Sequence, residues 1–385
     1  MLTLEFRNGD IIDYEVVVAG IGGMGSAALA HCASRRDKVL GVEQYAPLHQ
    51  LGASSGKTRI IRRAYFEDSA YVPLLDRAYQ LWHDLETATG SKVLFTNGLL
   101  TAGYQGSPTI EKAWRAVERH GLSAEFWASA DIRRRYPALR PRPDEVGIFE
   151  QDGGYVIPEA ATAAHMSLAV ARGAEMQFGV ALKQWQPQKD SVAVVLSNGR
   201  VLHCARLILT LGPWFKETLE SLGVAIRVQR NVQLWFTPAT GTLGPGEFPT
   251  FLLHRRDLPT YCYGFPDVGE GVKAAFHAYG PMTEPDRIDR TIDYTRDVEP
   301  VARALEEWAP GSAGTLKDAK ACMYTLTPDE NFIIDHHPQD DRIVLCGGFS
   351  GHGFKFASVV GEIAAQLALD GATGHAIDFL SFRRF

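Results

Sequence analysis

A glycine-rich segment near the amino terminus has residue types and a spacing that suit the binding of a dinucleotide. Gly20, Gly22 and Gly25 fit the pattern G-x-G-x-x-G. The first glycine permits a tight turn, the second admits a pyrophosphate against the backbone, and the third lets a helix pack closely on a strand. Glu43 lies about twenty residues further on, where a carboxylate binds ribose hydroxyls. The segment predicts a site for NAD or FAD; the alternative is a glycine-rich turn without a ligand.

Other polar residues also stand in unusual surroundings. Lys273 interrupts an apolar run, where an ammonium group is costly to bury unless it has a partner or a task. Arg59 and Arg62 belong to another apolar run, and at a spacing of three they share a helical face or line a loop. A guanidinium can bind a carboxylate through two hydrogen bonds. Cys322 by itself is typical of a small buried hydrophobe, although a thiolate is a nucleophile where a cation is near.

A second glycine-rich segment, Gly348-Phe349-Ser350-Gly351-His352-Gly353-Phe354-Lys355, follows the apolar run 343–346. This order predicts a strand-to-helix turn. The start of a helix offers free N–H donors and partial positive charge, so these groups could face the pyrimidine carbonyls of a flavin. The alternative is again a glycine-rich loop without a ligand.

The elements that must position these residues alternate between strands and helices at both ends of the chain. Residues 15–19, 24–35 and 38–43 are expected to form a strand, an Ala-rich helix and a strand, which make a βαβ unit. Between the ends, 224–276 alternates short strands with Pro/Gly turns, as in a mostly antiparallel sheet. The other predictions are helices at 71–85, 111–120, 128–135, from 158, at 301–308 and at 354–368, a hairpin joining 192–196 to 201–204, and a buried strand at 207–211.

This order predicts an α/β fold with two domains. A discontinuous Rossmann-type dinucleotide domain is expected over residues 1–92, 147–222 and 320–385. A substrate domain on a mostly antiparallel sheet is expected over 93–146 and 223–319.

Composition excludes several classes of function. Apolar residues make up 45% of the chain and charged residues 22%, which is ordinary globular usage, and a net charge of -6 does not suit nucleic acid. No apolar run is long enough to span a bilayer. Five scattered cysteines predict neither disulfides nor a metal site. Residues 1–7 lack the features of a signal peptide and 381–385 are not a peroxisomal address, so a reduced, cytoplasmic protein is expected.

Several separate segments resemble the monomeric sarcosine oxidase family, which includes N-methyltryptophan oxidase and pipecolate oxidase. The resemblance runs nearly from end to end, in order and in spacing. It rests on Thr58-Arg59-Ile60-Ile61-Arg62-Arg63-Ala64-Tyr65, Tyr263-Gly264-Phe265-Pro266 followed by Lys273 and His277, Cys322-Met323-Tyr324-Thr325, Pro328-Asp329-Glu330, Phe332-Ile333-Ile334-Asp335, and the second glycine-rich segment.

The resemblance implies that the dinucleotide is FAD, bound by the Rossmann-type domain and attached through its 8α-methyl group to Cys322. It implies that the helix start after the second glycine-rich segment stabilises negative charge on the reduced flavin. The implied cofactor-binding residues, besides those of the fingerprint and Glu43, are Thr58, Cys322, Gly348, Gly351, Gly353, Phe354 and Lys355.

The resemblance also implies a substrate and a reaction. Arg62 and Lys355 match the cations that bind an amino acid carboxylate, and Tyr324 is a further substrate-binding position. The implied catalytic residues are Tyr263 and His277 beside the substrate amine, Arg59 beside the flavin ring, and Lys273, whose charge assists electron transfer to O2. The expected reaction is hydride transfer from a small secondary amino acid to flavin N5, hydrolysis of the imine, and formation of H2O2. Relatives of this kind are mostly monomers.

Two features depart from the family pattern. Ala53-Ser54-Ser55 replaces a histidine pair, as in pipecolate oxidase relatives, which puts self-catalysed attachment of the flavin in question. The loop His254-Arg255-Arg256-Asp257 is more charged than the pocket wall expected for sarcosine. It is interpreted as a solvated turn; otherwise it indicates a larger or acidic substrate.

Competing hypotheses remain for the reaction as a whole. One is a flavin-dependent dehydrogenase that passes electrons to a carrier, and another is a flavin-binding subunit without turnover. The set of Arg62, Tyr263, Lys273, His277 and Lys355 argues against the latter. An NAD-dependent dehydrogenase would explain only about the first 45 residues.

Overall fold

A computed structural model describes residues 12–239, 241 and 243–385, so the expectation for residues 1–7 lies outside the described part. Within that part the α-helices are α1 (Gly23–Ala33), α2 (Val72–Thr89), α3 (Pro108–His120), α4 (Ser129–Arg135), α5 (Pro158–Ala171), α6 (Lys216–Ser221), α7 (Glu299–Trp308) and α8 (Ala357–Asp370). Short 3-10 turns cover Ser69–Tyr71, Gly212–Phe215, Pro285–Arg287, Phe354–Phe356, Asp378–Leu380 and Phe382–Arg384, and a π-helical turn covers Tyr294–Val298.

The strands of the described part form three sheets. In chain order they are β1 (Tyr14–Ala19), β2 (Val39–Glu43), β3 (Arg59–Ile61), β4 (Leu94–Phe95), β5 (Leu99–Tyr104), β6 (Glu125–Ala128), β7 (Glu145–Glu150), β8 (Gly154–Val156), β9 (Glu175–Phe178), β10 (Leu182–Pro187), β11 (Val192–Leu196), β12 (Val201–Leu209), β13 (Arg227–Thr237), β14 (Thr250–His254), β15 (Cys262–Phe265), β16 (Val272–Phe276), β17 (Met282–Thr283), β18 (Thr315–Leu326), β19 (Ile333–His337) and β20 (Asp340–Gly347).

The first sheet is the dinucleotide-type sheet that the sequence predicts. Its order is β10-β11-β12-β1-β2-β9, and β20 joins it beside β12 and pairs with β19. β1, β2, β9, β12 and β20 run parallel, as strands joined by crossover helices do. β1 can lie in the middle because its apolar residues are buried between helices α1, α5 and α8 on one face and a second apolar cluster on the other.

The second sheet carries the other domain and is mostly antiparallel, as predicted. Its order is β17-β13-β16-β15-β14-β5-β7-β6, with β18 also paired to β13, and the β5–β14 pair is its parallel exception. Helix α7 and the residues Tyr136 and Trp308 pack against it in a separate core. A small third sheet has the order β3-β8-β4, and both of its strand pairs are antiparallel. The α/β fold with a second antiparallel domain is therefore confirmed.

Some local predictions differ from the structure. The predicted strands 201–204 and 207–211 belong to one strand, β12, which ends at Leu209; its outer half pairs with β11 while its inner half continues between β1 and β20. Arg59 lies in β3 and Arg62 just after it, so the shared helical face is wrong. Helix 354–368 begins with a 3-10 turn before α8.

Two expected domain boundaries fall inside strands of the second sheet. β7 contains residue 147 and pairs along its length with β5, and β18 contains residue 320 and pairs along its length with β13. We therefore propose that the chain passes between the domains after Glu150 and after Leu326. Among the described residues, no helix has the length and apolar character required to span a membrane.

Candidate active site

A cavity of about 450 Å³ lies between the first and second sheets. This volume is in the usual range for ligand sites. Of the residues predicted from the sequence, those in contact with the cavity are Gly20, Gly22, Glu43, Arg59, Arg62, Tyr263, His277, Tyr324, Gly348, Gly351, Gly353, Phe354 and Lys355. Gly25, Thr58, Lys273 and Cys322 are not on its wall. The tertiary fold thus gathers most of the predicted set from both domains around one space.

The fingerprint glycines form the turn between β1 and α1. Gly20 has φ +86°, and a Cβ atom there would lie 2.5 Å from the carbonyl oxygen of Thr210, so only glycine fits without strain. A Cβ atom at Gly25 would collide with the Gly20 carbonyl oxygen. Gly25 therefore acts behind the cavity wall, by letting α1 pack against the turn. The first-turn N–H groups of α1 have no carbonyl partner within the helix, which suits a phosphate.

Glu43 ends β2 at the edge of the fingerprint turn, where the sequence places it. Its carboxylate accepts hydrogen bonds from the Ile21 N–H (2.9 Å) and the Tyr45 N–H (3.1 Å), and His49 Nε2 lies 3.4 Å away. A carboxylate fixed in this way is positioned for ribose hydroxyls.

The segment Ala53-Ser54-Ser55 is a structural part of the same region. Ser54 Oγ accepts a hydrogen bond from the Gly23 N–H at 3.1 Å, and Arg59 donates to the carbonyl oxygens of Ala53 and Ser55. The hydroxyl groups of Ser55 and Thr58 are buried and have no hydrogen-bond partner within the protein. Since buried polar groups are almost always satisfied and neither residue lines the cavity, such hydroxyls fit an ordered water behind the wall.

The second glycine-rich segment connects β20 to α8 and lies against the second domain. Gly351 has φ +77°, and a Cβ atom there would lie 2.9 Å from His277 Cε1 and would overlap the Tyr324 ring. Phe354 approaches Gly23 of the fingerprint and stacks on Trp82, with ring centroids 6.3 Å apart. This segment therefore contacts both the fingerprint, through Phe354, and the part of the cavity formed by His277 and Tyr324, through Gly351.

Arg62 is buried at the end of the cavity opposite the fingerprint, but it is already paired. Its Nη2 lies 2.8 and 2.6 Å from the two carboxylate oxygens of Glu67, and its Nη1 donates to the Ala64 carbonyl oxygen at 2.7 Å. The guanidinium also lies 4.1 Å from the Phe66 ring centroid and 4.4 Å from that of Tyr65. An incoming carboxylate must therefore share Arg62 with Glu67 or displace it.

Lys355 supplies a second cation at this end. Its ammonium donates to the His352 carbonyl oxygen at 2.5 Å and lies 3.4 Å from the Tyr65 hydroxyl. Burial lowers the pKa of Lys355 to about 7, although the Glu67 charge opposes the shift. Burial would raise the pKa of Glu67, but the Arg62, His352 and Lys355 charges together lower it to about 2. Glu67 therefore keeps its negative charge around pH 7, and it lies near Lys355, which loses its charge close to neutral pH.

Aromatic residues line the same end. His277 follows β16 and stacks on Tyr261, with ring centroids 4.6 Å apart and an interplanar angle of 12°. Burial, followed by the His352 charge, lowers the pKa of His277 to about 3, so the imidazole is neutral at pH 7. Burial, followed by the nearby Cys322 thiol, raises the pKa of Tyr263 to about 12, and the pKa of Tyr324 is raised chiefly by burial. These neutral groups suit an uncharged amine.

Cys322, Lys273 and Thr58 form a layer next to the cavity. Cys322 is 2% exposed and shares a face of β18 with Tyr324, two residues further on. The Lys273 ammonium donates to the carbonyl oxygens of Gly56 (2.6 Å) and Thr58 (2.9 Å). Burial, followed by Arg59, lowers the pKa of Lys273 well below its usual value. The partners expected for a buried lysine are thus backbone carbonyl groups.

The charged loop 254–257 is not part of the cavity wall. Arg255 is buried and paired with Glu145 at 2.6 Å, while Asp257 pairs with Arg142 and Arg256 with Asp144 nearer the surface. Interpretation of the whole loop as a solvated turn is therefore wrong for Arg255. Its ion pairs join the loop after β14 to the start of β7 and to the residues just before it, and the loop gives no support for an acidic substrate.

The sequence analysis gave no role to Tyr65 and His352, although both stand in the quoted segments, and it did not name Glu67, Tyr261 and Gln233. Glu67 stands five residues after Arg62 and two residues after the end of the segment 58–65. This closeness in sequence was the available sign that Glu67 could pair with Arg62. Tyr65 and His352 hydrogen-bond to each other at 2.6 Å. Gln233 Oε1 accepts from Arg59 Nη1 at 3.2 Å. No sequence signal indicated that Tyr261 and Gln233 would reach the cavity.

The residues present fit a dinucleotide cofactor. The fingerprint turn, the fixed Glu43 carboxylate and the unpartnered buried hydroxyl of Thr162 border the cavity. Within the described part of the chain, no group of three or more His, Cys, Asp or Glu residues is arranged to hold a metal ion.

Comparison with known proteins gives consistent results over nearly the whole chain. A model of the FAD-dependent oxidoreductase family matches residues 15–367. Monomeric sarcosine oxidase from Streptomyces avermitilis is 40% identical over 377 residues, covering 96% of this chain and 97% of that protein. N-methyl-L-tryptophan oxidase from Yersinia pestis is 32% identical over 375 residues, covering 97% of this chain and all of that protein.

Solved structures share the fold. NikD, an unusual amino acid oxidase essential for nikkomycin biosynthesis, superposes with a TM-score of 0.84 at 24% identity, covering 96% of this chain and 98% of that one. L-proline dehydrogenase from P. horikoshii also gives 0.84, at 20% identity, covering 97% and 98%.

Proposed function

The chain belongs to the family of FAD-dependent oxidoreductases that includes monomeric sarcosine oxidase, and on this premise we propose that it oxidises a small secondary amino acid with O2. Candidate substrates are sarcosine, another N-methyl amino acid, or a cyclic imino acid such as proline or pipecolate. The observation that carries the proposal is the pair of buried cations, Arg62 and Lys355, at one end of a cavity whose other end has the dinucleotide fingerprint.

The substrate carboxylate binds between Arg62 and Lys355. Arginine presents a planar fork for two hydrogen bonds, and the burial of both cations strengthens their attraction for an anion. Glu67 occupies part of that fork before the substrate binds. The substrate carboxylate therefore takes the place of Glu67, whose side chain is 18% exposed while that of Arg62 is buried.

The substrate amine lies among Tyr263, His277 and Tyr324. These groups are neutral at pH 7 and accept or donate hydrogen bonds without adding positive charge, so the amine is held in its uncharged form. The stack of Tyr261 on His277 limits the space beside the amine, which favours small or flat substituents. When bound, the flavin accepts a hydride from the carbon next to nitrogen and passes two electrons to O2, and water hydrolyses the released imine.

Lys273 and Arg59 assist the oxygen step. Lys273 is a buried amine held by two carbonyl oxygens, and Arg59 is fixed by Gln233 and by backbone carbonyls. A negative charge on the reduced cofactor beside these groups would favour the protonated form of Lys273. A fixed cation there stabilises the charge that develops as O2 is reduced to H2O2.

The cofactor is attached covalently to Cys322, through a thioether to the 8α carbon. Support comes from the position of the thiol beside Lys273 and beside Tyr263 and Tyr324, the two tyrosines of the second sheet that line the cavity. All five cysteines are buried and free, which also suits the reduced cytoplasmic location that we propose. The similarity to monomeric sarcosine oxidase supports a monomer.

A screen of purified holoenzyme with sarcosine, N-methyl amino acids, L-proline and L-pipecolate, read by H2O2 formation, tests the function. We expect at least one of them to produce H2O2 and to bleach the flavin when O2 is absent. Bleaching without H2O2 would instead support a dehydrogenase with a carrier. The absence of bleaching by any of them would contradict the proposal and support a subunit without turnover.

Precipitation with acid tests the attachment separately. The yellow colour should stay with the precipitated protein, and Cys322→Ser should release it to the supernatant. Free flavin from the unaltered protein would contradict the linkage while leaving the oxidase reaction intact.

A further inference from the structure

Lys320 stands two residues before Cys322 on β18. Residues two apart on a strand point to the same side, so Lys320, Cys322 and Tyr324 form one row. On the neighbouring strand β13, Gln233 is the partner of Lys320 and Asn231 is the partner of Cys322. Gln233 reaches the cavity wall. The row therefore places a lysine beside the cysteine at the boundary of the candidate active site.

The surroundings of Lys320 allow its positive charge to act on the other side chains of this row. It is half-buried, and its ammonium donates to Gln50 Oε1, a neutral acceptor, at 2.7 Å. Burial lowers the pKa of Lys320, the Glu159 carboxylate opposes this shift, and Arg59 and Cys322 also interact with it. Lys320 has no carboxylate in salt-bridge contact among the described ion pairs, unlike Arg62, which Glu67 neutralises.

The segment that bears Gln50 is attached to the same strand a second time. Arg290 donates to the Leu51 carbonyl oxygen (2.7 Å) and to the Ala321 carbonyl oxygen (3.2 Å). These contacts hold the residues just before Ala53-Ser54-Ser55, the segment that replaces the histidine pair of the family, against β18, next to Cys322. Ser54, further along that segment, accepts a hydrogen bond from the Gly23 N–H of the fingerprint. Its hydroxyl group carries no positive charge that could act on the thiol.

We propose that Lys320 is a positioning residue for flavin attachment, whose ammonium stabilises the thiolate of Cys322 while the thioether forms. This inference rests on the proposed Cys322 linkage. A cation near a cysteine favours the thiolate, which is the nucleophilic form. Lys320 acts together with Arg59, which is likewise half-buried, and with the fully buried Lys273.

The attachment step is balanced without a further reagent. One S–C bond forms, and one C–H bond of the flavin 8α-methyl group breaks. The thiol proton and the methyl hydrogen are retained on the ring system, which is thereby reduced by two electrons. O2 then accepts these two electrons and two protons and becomes H2O2, as in the proposed turnover.

The test uses full-length apoprotein prepared under riboflavin limitation and then mixed with FAD. Samples are precipitated with acid over time, and the fraction of flavin that stays with the protein gives the attachment rate. Flavin fluorescence quenching measures non-covalent binding, so rates are compared at saturating FAD. The variants are Lys320→Met, Lys320→Arg and, as a matched control, Lys317→Met, an exposed lysine of the same strand that lies at a register shift and donates to the Gly269 carbonyl oxygen.

Lys320→Met should attach FAD roughly tenfold more slowly at pH 7, which corresponds to about 1.4 kcal/mol of lost stabilisation. The deficit should shrink as the pH rises, because hydroxide then supplies the thiolate. Lys320→Arg should restore most of the rate, and Lys317→Met should match the unaltered protein. The groups around the thiol that could also shape the pH profile are Arg59, Glu159, Tyr263, Lys273, Asp318 and Tyr324.

A Lys320→Met rate equal to that of the unaltered protein at saturating FAD would overturn the proposal, even if FAD affinity fell. An equal loss in Lys320→Met and Lys320→Arg would also overturn it, because the charge would not be the cause. Absence of acid-stable flavin in the unaltered protein would instead refute the Cys322 linkage itself.

Discussion

Two groups of positive charge border the cavity, and they are neutralised differently. At the substrate end, Arg62 is paired with the Glu67 carboxylate, which lies 2.6 Å away. At the cysteine end, the Lys273 ammonium donates to two backbone carbonyl oxygens and lies over the rings of Trp235 and Phe265, and Arg59 contacts carbonyl groups and Gln233. A buried ion pair contributes little net stability, but it keeps a cation in place until a competing anion arrives. The first group is therefore suited to exchange one carboxylate for another, and the second to stabilise charge that develops during reaction.

The largest expected effect comes from the paired group. Arg62→Ala should cost about 2–5 kcal/mol of transition-state stabilisation, or roughly thirty-fold to several-thousand-fold in kcat/KM, because it removes a buried partner of the substrate carboxylate. Steady-state kinetics with the best substrate of the screen measure the loss. Unchanged kcat and KM would remove Arg62 from the site.

A double variant separates substrate binding from stability. Arg62→Ala alone leaves Glu67 buried without its partner, which should lower the free energy of unfolding. Arg62→Ala with Glu67→Gln should recover that stability in a denaturant titration, yet kcat/KM should stay low. Recovery of both would mean that Arg62 serves only to neutralise Glu67.

The next effect concerns the group held by carbonyl oxygens. Lys273→Met should slow reoxidation of the reduced enzyme by O2 on the order of 100-fold, as for the loss of one electrostatic contact to developing charge. Anaerobic reduction by substrate should change much less, and stopped-flow absorbance resolves the two half-reactions. Lys317→Met, at an exposed lysine, should leave both unchanged. Equal slowing of both steps in Lys273→Met would contradict its role with O2.

The smallest effect is a pH dependence at the paired group. The pKa of Lys355 is lowered to about 7, so the lysine is charged below pH 7 and loses its charge above it. The affinity for acetate, a carboxylate without an amine, should therefore be retained below pH 7 and fall by up to tenfold per pH unit above it. His277 and His352, with pKa values of about 3 and 4, stay neutral throughout this range.

Calorimetric titration of the holoenzyme with acetate between pH 6 and 9 gives this profile. Lys355→Met should bind acetate weakly and with no break near pH 7. A break that survives in Lys355→Met would assign the titration to another group.

The two groups also differ in how much of them the sequence revealed. Arg62, Lys355 and Lys273 could be predicted because their segments match a known family pattern in order and spacing. Glu67 could not, since an acid five residues from an arginine is ordinary on a surface and becomes informative only when the arginine is known to be buried and paired with it. Tyr261 needed the β15–β16 pairing to bring it against His277.

The sequence by itself determined the dinucleotide turn, because glycine spacing between a strand and a helix is a local property of the backbone. It also determined which parts of the chain form parallel strands and which form antiparallel strands. The reason is that the pattern of apolar residues shows whether a strand is buried on both faces or on one. Tertiary structure alone decided that Lys320 and Gln50 meet, that Cys322 and Thr58 lie behind the cavity wall, and that Arg255 is buried. These facts depend on strands far apart in the chain, and local patterns carry no information about which distant charge will lie beside them.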